Sequence, residues 1–157
     1  MTAYGALIDI AGLERSETVV IPAASSSVGL AAIQIANRVG ATPVALTRDR
    51  SKRQALEGAG AAHVIVTDEQ ERVAEILTIT GGKGARVLFD AAGGPTVGKL
   101  TKAMARFGNL FHLWRAESGA DAAAGVRRLG QESDDPRLHH VGSHDRPRAD
   151  GAGEAVH

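Results

Sequence analysis

Apolar runs and helical stretches alternate along the first three quarters of the chain. β-rich runs stand at Thr18–Ile21, Pro43–Leu46, His63–Val66, Arg86–Phe89 and Asn109–Leu113, their starts 25, 20, 23 and 23 residues apart. Between Ser27 and Val39 the residues Val28, Ala32, Ile35, Ala36 and Val39 share one face of a helix, and Gly40 supplies its stop signal. Further helices are predicted at Ser51–Glu57, Glu69–Ile79 and Pro95–Arg106. Short continuous strands alternating with helices predict a parallel sheet buried on both faces. Pro43 suits only a strand start and Pro22 only a strand end, because proline donates no ladder hydrogen bond. The fold class expected is α/β, a doubly wound, Rossmann-like parallel sheet of about five strands.

Composition divides the chain near Trp114. Residues 1–114 hold nearly all the Ile, Leu, Val and Phe, whereas 115–157 contain no Ile, Phe, Trp, Tyr, Met or Lys. The second segment is rich in Arg, Ala, Gly, Asp and His, and its few apolar residues follow no period. It buries too little to offset its ordering entropy, so 115–157 is expected to be a low-order tail and residues 1–114 the folded domain. A short helix around Ala122–Leu129 is the one element considered there. The tail's bias also suits an out-of-frame continuation in GC-rich DNA.

Across 157 residues, 18 basic and 18 acidic side chains cancel, which argues against nucleic acid as a partner. Without cysteine there is no disulfide, thiolate zinc site or cysteine nucleophile. No apolar run approaches the roughly 18 residues of a membrane span, and no signal peptide is evident, so a cytoplasmic protein is expected. His139, His140 and His144 read as a solvated tail rather than a metal site. No Tyr/Lys pair and no G-x-S-x-G elbow is present, and no catalytic residue is assigned.

The first strand-to-helix turn carries the candidate chemistry. Small residues from Ala23 to Val28 let backbone approach a diphosphate, and the following helix start offers N–H groups and partial positive charge. Ser25, Ser26 and Ser27 add hydroxyls and N-cap candidates. The second strand ends at Thr47 without the acid that holds a ribose, which also disfavours a methyltransferase-like sheet. Arg48-Asp49-Arg50-Ser51-Lys52-Arg53 follows, reading either as a solvated helix start or as a phosphate reader.

Several segments in order closely resemble the medium-chain dehydrogenase/reductase superfamily. They are Thr2-Ala-Tyr-Gly-Ala-Leu, Ser27-Val-Gly-Leu-Ala-Ala-Ile-Gln-Ile-Ala, Gly60-Ala-Ala-His-Val-Ile, Thr80-Gly-Gly-Lys-Gly-Ala and Phe89-Asp-Ala-Ala-Gly-Gly94. Within it the chain looks most like the zinc-free, quinone-oxidoreductase-type members. The resemblance covers residues 1–114 and departs in the phosphate turn, where Ala23 and Ser26 stand in place of glycines and only Gly29 is retained.

The resemblance implies NADP(H) rather than NAD(H) as cofactor, no zinc, and hydride transfer to a quinone or enone acceptor in intact relatives. It implies cofactor contacts at Thr2, Ser26, Ser27, Val28, Thr47, Arg48, Lys52 and Ala92. Lys52 matches a lysine used against the 2′-phosphate, and Arg48 is expected to add a second contact. Family members also carry a GroES-like barrel and a final strand, so the chain reads as a cofactor domain cut at both ends, inactive in isolation. The alternative expectation is a non-catalytic fragment that acts through a partner or through self-association at an exposed sheet edge.

Overall fold

The computed structural model describes residues 3–93, 96–114 and 123–128. Five strands run parallel: β1 (Thr18–Ile21), β2 (Thr42–Thr47), β3 (His63–Val66), β4 (Ala85–Asp90) and β5 (Met104–Trp114). Their spatial order is β3-β2-β1-β4-β5, and β6 (Ala123–Arg128) adds an antiparallel edge beside β5. The doubly wound sheet expected from the apolar rhythm is therefore the observed architecture, with β6 as an addition. No helix among the described residues is long and apolar enough to cross a membrane.

Alternation along each strand feeds two cores. Val19, Ile21, Ala45, Val87, Phe89 and Phe111 pack on one face against helix α1 (Ser27–Val39), Leu56 of α2 (Arg53–Gly58) and the wide helical turn Gly5–Ile10. Val20, Val44, Leu46, Ile65, Leu88 and Leu110 pack on the other against Ile76 of α3 (Arg72–Ile79) and Leu100 of α4 (Thr96–Leu100). A strand buried on both sides has no polar face to alternate with, which is why these segments read as unbroken apolar runs.

Local chemistry moved several helix boundaries. Asp49 accepts a hydrogen bond from the Ser51 amide at 2.9 Å and starts a 3₁₀ turn, Arg50–Lys52, so α2 opens at Arg53 rather than Ser51. The Glu71 carboxylate accepts from the Ala74 amide at 2.7 Å, placing the α3 N-cap there and leaving Glu69 and Gln70 in a turn onto the Val66 carbonyl. The fourth helix stops at Leu100, tightens to 3₁₀ through Ala103, and becomes β5 at Met104 instead of continuing to Arg106. α1 ends as its pattern implied: Gly40 takes a left-handed conformation (φ 79°), and its amide reaches the Ala36 and Asn37 carbonyls.

The expected short helix near Ala122–Leu129 is instead strand β6. Its register runs from Trp114↔Ala123 to Asn109↔Arg128. The outer edge of β5 is thereby paired with β6. An open ladder offers ready partners for backbone N–H and C=O groups, and a segment with no helical period has little to oppose pairing with it. His139, His140 and His144 lie outside the described residues, as does the rest of 115–157.

Candidate functional site

A cleft of about 780 Å³ lies across the C-terminal ends of β1 to β4. Doubly wound sheets bind ligands at this place, over the point where strand order reverses, here between β1 and β4. Pro22, Ala23 and Ser25 contribute its centre. Thr47, Arg48, Asp49 and Lys52 follow β2 at one end; Asp90, Ala92 and Gly93 follow β4 at the other.

The turn between β1 and α1 shows why its residues are small. A Cβ on Gly29 would come within 2.7 Å of Ala24 Cα and carbonyl oxygen and 2.8 Å of the Ala23 oxygen. All three atoms are backbone, so the helix sits against the turn only because Gly29 has no side chain. Ala23 holds a left-handed backbone (φ 50°), a conformation that glycine adopts freely and alanine only under strain. Ser26 is the N-cap of α1, and its hydroxyl accepts from the Gly29 amide at 3.1 Å. The amides of Ser27 and Val28 belong to the first turn and have no intrahelical acceptor. Ser26 and Ser27 are exposed at that helix start, beside the cleft rather than in its wall.

The polar end is organised around Asp49. The Thr47 hydroxyl donates to the Asp49 carbonyl at 3.3 Å and accepts from the Asp49 amide at 3.2 Å, closing the strand end. The hydrogen bonds from Ser51 hold the exposed Asp49 carboxyl below its ordinary 3.8. That carboxylate is thus engaged in a helix cap, in the region where an NAD reader would present an acid to the ribose. Lys52 Nζ donates to Ser25 Oγ at 3.4 Å, linking the β2 side to the first turn. Arg48 lines the same end, exposed to solvent.

Of the residues expected to bind cofactor, Thr47, Arg48, Lys52 and Ala92 therefore share one cleft, Ser26, Ser27 and Val28 form the adjoining helix start, and Thr2 lies outside the described residues. Sequence reasoning passed over Thr67, Asp68 and Arg72, which enter the wall from beyond β3. The strand-end position of Thr67 and Asp68 was a signal for them; nothing local distinguished Arg72. Asp90 was also missed. Its side chain is 2% exposed, its Oδ1 accepts from the Ala92 and Gly93 amides at 3.1 Å each, and its Oδ2 lies 2.8 Å from His112 Nδ1. No group of three or more His, Cys, Asp or Glu able to hold a metal occurs among the described residues.

The family model for zinc-binding dehydrogenases matches residues 27–113, more than half of the chain. The chain is 31% identical over 119 residues to the hybrid PKS-NRPS synthetase pyvA of Aspergillus violaceofuscus, covering 74% of this chain and 3% of that protein. It is 28% identical over 133 residues to a phenolphthiocerol/phthiocerol polyketide synthase of Mycobacterium tuberculosis, covering 85% of this chain and 6% of that protein. Among solved structures, quinone oxidoreductase of Escherichia coli complexed with NADPH is 32% identical with a TM-score of 0.63, over 68% of this chain and 32% of that one. A putative enoyl reductase domain of a polyketide synthase is 29% identical with a TM-score of 0.65, over 75% and 67%. The chain thus spans a small part of the curated relatives and about a third of the quinone oxidoreductase. The parallel sheet in the order β3-β2-β1-β4-β5, the close-packed Gly29 turn and the family match together make this chain a member of the zinc-binding dehydrogenase family, with the partly covered cofactor-binding domain of a medium-chain dehydrogenase/reductase.

Proposed function

We propose that the chain is the NADPH-binding part of an oxidoreductase that passes hydride to a quinone or an enone-like acceptor. The observation carrying this reading is the pairing of a capped, close-packed α1 N-terminus with Arg48 and Lys52 at one end of a single cleft. The α1 amides suit a diphosphate and the two cations a 2′-phosphate, while Asp49 is turned to capping Ser51. Thr47, Ser26, Ser27 and Val28 would frame the adenosine half, and Ala92 the turn beyond β4. The bound nicotinamide would supply the hydride; the chain's own residues bind it, orient it and exclude water. The NADPH complex of the quinone oxidoreductase relative supports the cofactor, and the enoyl reductase relative supports a conjugated carbonyl as acceptor class.

The purified chain is expected to bind NADPH with a dissociation constant below about 1 mM and more tightly than NADH, as followed by cofactor fluorescence. Absence of binding, or a preference for NADH, overturns the reading. Little turnover with a quinone or enone panel is expected from these residues alone, which span about a third of the quinone oxidoreductase; robust NADPH oxidation would refute that expectation.

A second reading is association of copies through the sheet edge. Among the described residues β6 is the outermost strand on its side, and its outer ladder is the edge proposed to pair. Light scattering separates the two: a monomer that binds nucleotide supports the first, and nucleotide-independent oligomers support the second.

A further inference from the structure

A buried carboxyl group, Asp90, stands at the end of β4 in the same cleft wall as Arg48 and Lys52 beyond β2. Asp90 is the last residue of β4, and its partner in the β5 register is His112. One carboxylate oxygen gathers the Ala92 and Gly93 amides, and the other receives the His112 Nδ1 hydrogen bond. Gly93 itself takes a left-handed conformation (φ 71°), which glycine adopts without a Cβ penalty. Ala92 and Gly93 are themselves cleft wall. The shape of that wall is thus held by a carboxylate that is in turn held from the neighbouring strand.

Dinucleotides lie across the switch point of such sheets, one mononucleotide over each half. With the cations beyond β2 taking the adenosine side, the turn beyond β4 falls to the other mononucleotide. We propose that Asp90 and His112 are a positioning pair, His112 fixing the Asp90 carboxylate so that the 91–93 turn presents a preformed wall to the nicotinamide half. This rests on the nucleotide reading above. His112 acts through Asp90 and touches neither the adenosine nor the phosphates in this scheme.

The experiment compares two ligands on the full-length chain by titration calorimetry: NADPH, and adenosine 2′,5′-bisphosphate, which lacks the nicotinamide half. His112→Ala should weaken NADPH by about three- to tenfold, the worth of one net hydrogen bond, while binding the bisphosphate as the native chain does. His112→Asn, which replaces Nδ1 with an amide donor at the same branch point, should recover most of the lost NADPH affinity. Retained bisphosphate binding also shows that the variant is folded. Equal weakening of both ligands, no weakening of either, or no recovery by Asn overturns the pair's role and leaves the nucleotide reading standing. A native chain that binds neither ligand overturns the nucleotide reading, and the pair's role with it.

Discussion

Removing Arg48 and Lys52 together tests the adenosine end of the cleft most directly. Both side chains are exposed, and the Lys52 side chain makes one long hydrogen bond, to Ser25 at 3.4 Å, besides its charge adding to the Ser51 hydrogen bonds that lower the nearby Asp49 carboxyl. The double substitution to alanine therefore removes little that holds the fold. A charge-assisted hydrogen bond contributes about 1.5–3 kcal/mol, and solvent exposure places these at the lower end. Two contacts of about 1.5 kcal/mol come to about 3 kcal/mol, or roughly two orders of magnitude in affinity. NADH lacks the 2′-phosphate, so its affinity should change less than about threefold. Fluorescence or calorimetric titration of both cofactors, with native chain and double variant side by side, reads the two numbers. Equal loss for NADPH and NADH would show that these side chains set the general field of the cleft and do not read the phosphate. Because that field is partly screened, raising the salt concentration should narrow the NADPH difference and leave NADH almost unaffected.

Three further outcomes follow from the geometry. Gly29→Ala forces a Cβ to within 2.7 Å of Ala24 backbone, and overpacking should outweigh the gain in helix propensity by about 1–3 kcal/mol in denaturant unfolding. Stability at or above native would contradict the close approach. Ala23→Gly should raise stability by up to about 1 kcal/mol, because relief of the left-handed alanine exceeds glycine's extra unfolded entropy; a loss would mean that the turn is not strained. The Glu71 carboxyl is held below its ordinary 4.5, chiefly by the Ala74 amide, so it contributes stability above that value and loses it as pH falls through the lower folded value. Melting temperatures of native and Glu71→Ala chains should differ most near neutrality and draw together as pH falls below 4.5, and a gap independent of pH would contradict the cap.

Elements with a strong period and a local stop signal were legible from the sequence. β1, β3 and α1 stand where the apolar pattern placed them, because burial on both sheet faces demands continuous apolar runs and Gly40 closes the helix without reference to distant residues. Helices whose starts depend on one side chain were less legible. Asp49 and Glu71 each captured a nearby amide and shifted a boundary, and the competing serines and acids around them offered equally good caps on paper. The segment 123–128 could not be read at all, since its strand exists only against the edge of β5.

The same division runs through the candidate site. Local residue choice determined the alternating strands and helices, the small first turn and the cations beyond the second strand. These follow from periodicity, steric size and charge, properties that neighbouring residues carry between them. Only the tertiary structure decided that Arg72, 24 positions beyond Arg48, enters the same cleft wall, and that Asp90 meets His112 across 22 positions of chain. Such pairings depend on strand order and register, which are set by how two faces of a sheet bury their side chains against helices from elsewhere in the chain. No window of sequence short enough to read locally contains both partners.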